Sequence, residues 1–136
     1  MAFVLDASVA TCWVFDDEDH PNARLAFERI RAEEAIVPSL WRFEVRNILL
    51  INERHHRIAE TTTAAFLSAL GRLPVREDHS GDEATVRRVA RAHQLSIYDA
   101  AYLELAQRAG IPLATLDVRL QKAAVEAGVV LLGAGG

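Results

Sequence analysis

The chain has 136 residues, 51% of them hydrophobic, which is enough for one domain with a sizeable core and too little for two. Its 15 Lys and Arg against 19 Asp and Glu give a net charge of -4, so no overall basic field marks it as a nucleic-acid binder. The single cysteine, Cys12, excludes an intramolecular disulfide and a cysteine-based zinc site, and its apolar surroundings read as those of a small buried hydrophobe. No apolar run approaches the ~18 residues of a membrane span, and "MAFVLDAS" has neither a basic n-region nor a long h-region, so a cytoplasmic protein is expected.

In chain order, "FVLD" (3–6) is a short apolar strand ending in an acid, and "ASVATCWVF" opens a short helix. "HPNARLAFERIRAEEA" carries a Pro at its start and apolar residues at Leu25, Phe27 and Ile30, an amphipathic helix leading into a second strand, "AIVP". "SLWRFEVRNILLINERHH" is the longest helical stretch, with Ser39 as candidate N-cap. "IAETTTAAFLSALGRL" is a further helix closed by Gly71, and Pro74 with "VRE" suggests a third strand. "GDEATVRRVARAHQ" and "SIYDAAYLELAQRAG" are two more helices, the second stopped by Gly110 and Pro112. "IPLATLD" repeats the opening pattern of apolar run plus Asp, before a helix "VRLQKAAVEAG" and a last strand "VVLL". Short apolar strands alternating with helices predict a three-layer α/β fold whose mostly parallel sheet is buried on both faces. One domain over residues 1–133 with a flexible tail, 134–136, is expected.

Four acids occupy places that need explaining. With Leu40 at 0° and 100° per residue, Glu44 falls near about 40°, within an apolar stripe that includes Ile51, Ile48, Trp41 and Val45. A carboxylate there needs a cation or hydrogen bonds, so Glu44 is either a buried partner of an Arg or a site residue. Asp99 stands three residues after Ser96, the spacing of a capping box, and projects between Ala106 and Leu103 rather than with Glu104, Gln107 and Arg108. Asp6 and Asp117 each end a strand and begin a helix, where Asp is a favoured N-cap. In an open parallel sheet, however, the functional crevice lies outside the carboxyl ends of the strands, where the strand order reverses. If Glu44 and Asp99 enter that crevice, the four charges need a divalent metal, and all-oxygen ligation favours Mg²⁺ or Mn²⁺ over zinc.

Other signals are weaker. "DDED" (16–19) reads as a solvated loop or helix start, with a peripheral metal or substrate role as the alternative. The five His residues are scattered and read as surface residues; no Gly-rich phosphate loop precedes a helix. All basic residues but Lys122 are Arg, suited to phosphate contact, although genomic base composition explains an Arg- and Ala-rich chain as well.

The four acids in their contexts resemble the PIN-domain ribonucleases, and in particular the VapC-type toxins of bacterial toxin–antitoxin pairs. The resemblance is carried by "FVLDASV", "WRFEVRNILL", "LSIYDAAYLELA" and "LATLD", in order and over nearly the whole chain. It implies an α/β/α PIN-like domain in which Asp6, Glu44, Asp99 and Asp117 are the catalytic, metal-binding acids. Ser8, Asn47 and Thr115 would support them by hydrogen bonds. It also implies an Mg²⁺- or Mn²⁺-dependent endoribonuclease that cuts structured RNA and stops translation. A cognate VapB-like antitoxin would hold it inactive, and it would form a homodimer. Arg42, Arg46, Arg87, Arg88 and Arg91 are candidates for contact with RNA phosphates.

A receiver-like signalling domain would also gather acids around Mg²⁺. The chain lacks adjacent acids after its first strand, and Lys122 lies inside a helix. A haloacid-dehalogenase-like phosphatase would need an acid where Ser8 stands. A PIN fold reduced to a binding module would not need all four acids.

Overall fold

The computed structural model describes residues 1–15 and 19–133. Asp16, Asp17 and Glu18 of "DDED" and the tail 134–136 lie outside the described residues; Asp19 is exposed and pairs with Arg24 at 2.7 Å.

The elements run β1 (Ala2–Leu5), α1 (Ala7–Cys12), α2 (Pro21–Arg29), β2 (Glu34–Pro38), α3 (Trp41–Arg54), α4 (Glu60–Leu70), β3 (Val75–Asp78), α5 (Glu83–His93), α6 (Ile97–Ala109), β4 (Leu113–Ala114) and α7 (Val118–Glu126). The four strands form one parallel sheet in the order β3-β2-β1-β4. Val4 of β1 pairs with Ile36 on one side and Leu113 on the other. β1 is therefore central, and Phe3, Val4 and Leu5 are fully buried, as a parallel strand covered on both faces requires. The edge strand β3 instead carries "VRED", whose charges discourage pairing with another chain.

Right-handed crossovers take the chain from β1 to β2 to β3 in one direction and then back to β4, which puts α1–α4 on one face and α5 and α6 on the other. The packing agrees: α1 lies against α2 and α3, while α6 lies on β1 and β2 with α5 and α7 beside it. The architecture is a three-layer α/β/α sandwich around a parallel sheet. No helix among the described residues is long and apolar enough to cross a membrane. Cys12 is buried, as its apolar surroundings predict.

Three local expectations are corrected. "VVLL" is no strand: β4 has only two residues, and one bridge, Leu113 to Leu131, continues the sheet while Val130 stays exposed. Ser39 does not cap α3. The N-cap is Leu40, already in helical dihedrals (φ -65°, ψ -20°), with no side-chain cap bond. Glu104 does not share the exposure of Gln107 and Arg108, with which the projection groups it: because α6 is the central helix of its layer it is buried nearly all round, and Glu104 is only 5% exposed. Arg108 compensates it, donating from Nε at 2.7 Å, and reaches on to Asp78 (Nη2 to Oδ2, 2.6 Å) and Ser80 (2.9 Å). Gly81 leaves room for this cluster, since a Cβ there would lie 3.3 Å from Glu104 Oε1.

Candidate active site

Asp6 directly follows β1 and Asp117 lies three residues after the end of β4, so both acids stand at the carboxyl ends of neighbouring strands. Between these two strands the direction of the crossovers reverses, the position where open α/β sheets form their crevice. The Asp6 amide donates to Ala114 O at 3.0 Å, tying the two loops together.

Asp6 takes the N-cap position of α1, but its closest partners are hydroxyls: Oδ2 accepts from Thr115 Oγ1 at 2.6 Å and from Ser8 Oγ at 2.8 Å. Each hydroxyl is itself fixed by the β4–α7 turn. Thr115 Oγ1 accepts from the Asp117 amide (3.0 Å) and Ser8 Oγ from the Leu116 amide (3.1 Å). Ser8 and Thr115 thus hold Asp6 in one orientation. Burial raises the Asp6 pKa; the Thr115 and Ser8 bonds pull it back, and the charge of Asp117 pushes it further up. Asp117 is a true N-cap, its Oδ1 accepting from the amides of Arg119 (2.9 Å) and Leu120 (3.2 Å).

Ser96 caps α6 by accepting the Asp99 amide at 3.1 Å. The Asp99 carboxylate is half-buried, as its projection between Ala106 and Leu103 required. Its pKa rises to about 6, first through burial and then through the charges of Asp117 and Asp6.

Glu44 opens α3 at the margin of the buried stripe, which centres on Trp41, Val45 and Leu49. It is half-buried, and its partner is a phenol rather than an Arg. Tyr102, fully buried on α6, donates to Glu44 Oε1 at 2.5 Å across the end of the sheet. Burial raises Glu44, and the charges of Asp6 and Asp99 add to that rise. Asn47 is exposed, with no hydrogen bond to these acids among the described residues, so the structure does not bring it into the site.

The four acids therefore act on one another, and no ion pair among the described residues neutralises them. Arg119 draws down Asp99 by its charge alone. No three Asp, Glu, His or Cys side chains among the described residues stand close enough to cage an ion as they are. A donor set of carboxylates and hydroxyls with uncompensated charge nevertheless fits a hard divalent cation that completes its shell with water.

Beside Asp99 and Asp117 opens a groove of about 1030 Å³ whose other walls include Gln94, Arg119, Lys122 and Glu126. Arg119, Lys122 and Gln94 escaped sequence reading as site residues, although Arg119 and Lys122 follow Asp117 by two and five positions. None of Arg42, Arg46, Arg87, Arg88 and Arg91 lines the groove; Arg42 faces Glu77 at 3.5 Å and Arg87 faces Glu83 at 3.9 Å. His93, expected at the surface, is half-buried on the groove wall, 3.6 Å from Glu126.

An open parallel α/β sheet with four acids at its switch point defines a class of carboxylate-site domain. The chain belongs to the PIN domain family, whose model matches residues 3–126. Similar solved structures include PAE2754 from Pyrobaculum aerophilum, with 22% identity, 90% of this chain and 87% of that chain covered, and a TM-score of 0.70. VapC20 from Mycobacterium tuberculosis, described as a sarcin-ricin loop cleaving toxin, gives 14%, 89% and 94%, and 0.61. FitAcB from Neisseria gonorrhoeae gives 14%, 96% and 96%, and 0.56. At these identities the likeness is one of fold. A comparison with curated proteins gave no match.

Proposed function

We propose that this protein is a divalent-metal-dependent endoribonuclease acting as a VapC-type toxin in the cytoplasm, restrained by a cognate VapB-like antitoxin. The observation that carries this reading is the convergence of Asp6, Glu44, Asp99 and Asp117 on one crevice, where burial and neighbouring carboxylates raise Asp6, Glu44 and Asp99 and no ion pair among the described residues neutralises the acids. Membership of the PIN family and the fold shared with a loop-cleaving toxin support it.

Mg²⁺ or Mn²⁺, when bound, would activate water for in-line attack on a phosphodiester and neutralise charge on the leaving oxygen. Asp6 and Asp99 would hold the ion directly, with Glu44 and Asp117 completing the shell or acting through waters. Thr115 and Ser8 keep the Asp6 carboxylate in one orientation, and Tyr102 does the same for Glu44. Products with 5′-phosphate and 3′-hydroxyl ends follow, because no group is assigned to activate a 2′-hydroxyl. The reading also takes the protein to be a homodimer.

Purified protein should cut RNA with Mg²⁺ or Mn²⁺ and stop in EDTA. Asp99→Asn should abolish cutting with the circular-dichroism spectrum unchanged, and full activity in that variant would sink the ligand assignment. Growth arrest on expression, relieved by co-expressing a small upstream neighbour gene, tests the toxin role.

A further inference from the structure

The groove beside Asp99 and Asp117 presents groups that carboxylate chemistry leaves unused. Arg119 and Lys122 are three residues apart in α7, hence on one helix face. Both are exposed, both line the groove, and among the described residues neither is ion-paired. Arg29, Arg42, Arg76 and Arg87 all face a carboxylate. Cations that stand beside acids without closing onto them are left available to an anion from outside.

Gln94 is the second observation. Helices α5 and α6 both end on a left-handed residue, Gln94 (φ 55°, ψ 44°) and Gly110 (φ 67°, ψ 37°). Glycine adopts this conformation freely, whereas a residue with a Cβ pays about 1 kcal/mol. α6 uses glycine. α5 keeps a glutamine whose exposed side chain lines the groove and makes no hydrogen bond among the described residues. An amide both donates and accepts, so it can pair with a base edge in two bonds. No Phe, Tyr or Trp is among the lining residues, and the ring that is present belongs to half-buried His93.

Resting on the ribonuclease reading, we infer that this groove seats the nucleotides next to the scissile phosphate of single-stranded RNA. Arg119 and Lys122 pair with flanking phosphates, and Gln94 is a specificity-determining residue that reads one base.

The test uses the full chain in two arms. In the first, anisotropy of a fluorescein-labelled single-stranded RNA of mixed sequence, with Ca²⁺ as the divalent ion, measures binding. Arg119→Gln with Lys122→Gln should weaken binding by roughly tenfold and reduce the slope of log K against log salt by about 1.4, two phosphates at about 0.7 each. The charge-matched control Arg29→Gln with Arg72→Gln, outside the groove, should leave both unchanged. In the second arm, cut positions are mapped on an RNA pool with Mn²⁺. Gln94→Gly suits the left-handed backbone and should melt no lower than wild type, yet cut with broadened preference and about tenfold lower kcat/KM at the favoured site.

Wild-type affinity and salt slope in the double variant, or a wild-type cut map in Gln94→Gly, overturns the inference while the nuclease reading stands. RNA binding that depends on Arg119 and Lys122 without cleavage in Mg²⁺ or Mn²⁺ supports the groove and removes the nuclease. A double variant that binds and cuts RNA normally but escapes inhibition by a protein partner makes the groove a protein surface and overturns the inference.

Discussion

Asp78 and Glu104, beside β3, close around Arg108, whereas Asp6, Glu44 and Asp99, outside the ends of the strands, form no ion pair among the described residues. The Arg108 bonds hold Asp78 below the usual carboxylate range, and Glu104 and Asp78 in turn raise Arg108. In the crevice the three acids all move up, burial being the largest cause at each. One cluster is complete and contributes to the fold. The other lacks its positive charge, costs stability as it stands, and is where a ligand that supplies that charge gains most.

The largest expected effect breaks the complete cluster. Arg108→Ala leaves buried Glu104 and partly buried Asp78 without a cation and should cost about 3 kcal/mol, the low end for a buried pair because Arg108 is one-third exposed. Urea denaturation measures this, and a loss below about 1 kcal/mol would show the cluster to be ornamental. In the crevice, removing a charge should act the opposite way on stability. Asp99→Asn should slow RNA cleavage at least a hundredfold, about 2.7 kcal/mol of barrier, and yet raise the denaturation midpoint in EDTA.

Tyr102→Phe should cost about 1 kcal/mol, because half-buried Glu44 loses its donor. Cleavage should fall roughly tenfold through a less ordered Glu44. A variant with wild-type activity would remove Tyr102 from the site's support.

The smallest effect is a pH dependence of opposite sign in the two clusters. Asp99 binds protons more tightly when folded, so metal-free stability falls as pH rises between 3.8 and about 6. The share from Asp99 is about 1 kcal/mol once solvent screening of a half-exposed group is allowed for. Asp78 has a depressed value, so its contribution is present above pH 3.8 and is lost as pH falls through its folded value. Denaturation in EDTA at stepped pH should show Asp99→Asn gaining on wild type above pH 6 and matching it near pH 3. A constant gap would contradict the assignment.

Much of this was legible in the residues. Apolar strands ending in Asp6 and shortly before Asp117, with helices between them, are local features, and period and capping chemistry report them directly. Ser96 and Asp99 divided the capping box as their spacing allowed, the hydroxyl taking the amide. Helix projection misplaced Glu104 and put Glu44 deeper in its stripe than it lies. It assumes one buried side per helix, whereas α6 is covered by the sheet and by two helices at once.

By itself, then, the sequence determined the elements, the alternation that makes a parallel sheet, and which acids stand at strand and helix ends, because each depends on neighbours a few residues away. Only the tertiary structure decided that Thr115 would hold Asp6 from 109 residues along the chain and Tyr102 would hold Glu44 from 58. It alone placed Arg119, Lys122 and Gln94 in the acids' groove and paired Asp78 with Arg108. Those are contacts between elements, set by strand order and crossover direction, and no local pattern of residues encodes which side chain will arrive from the other side of the sheet.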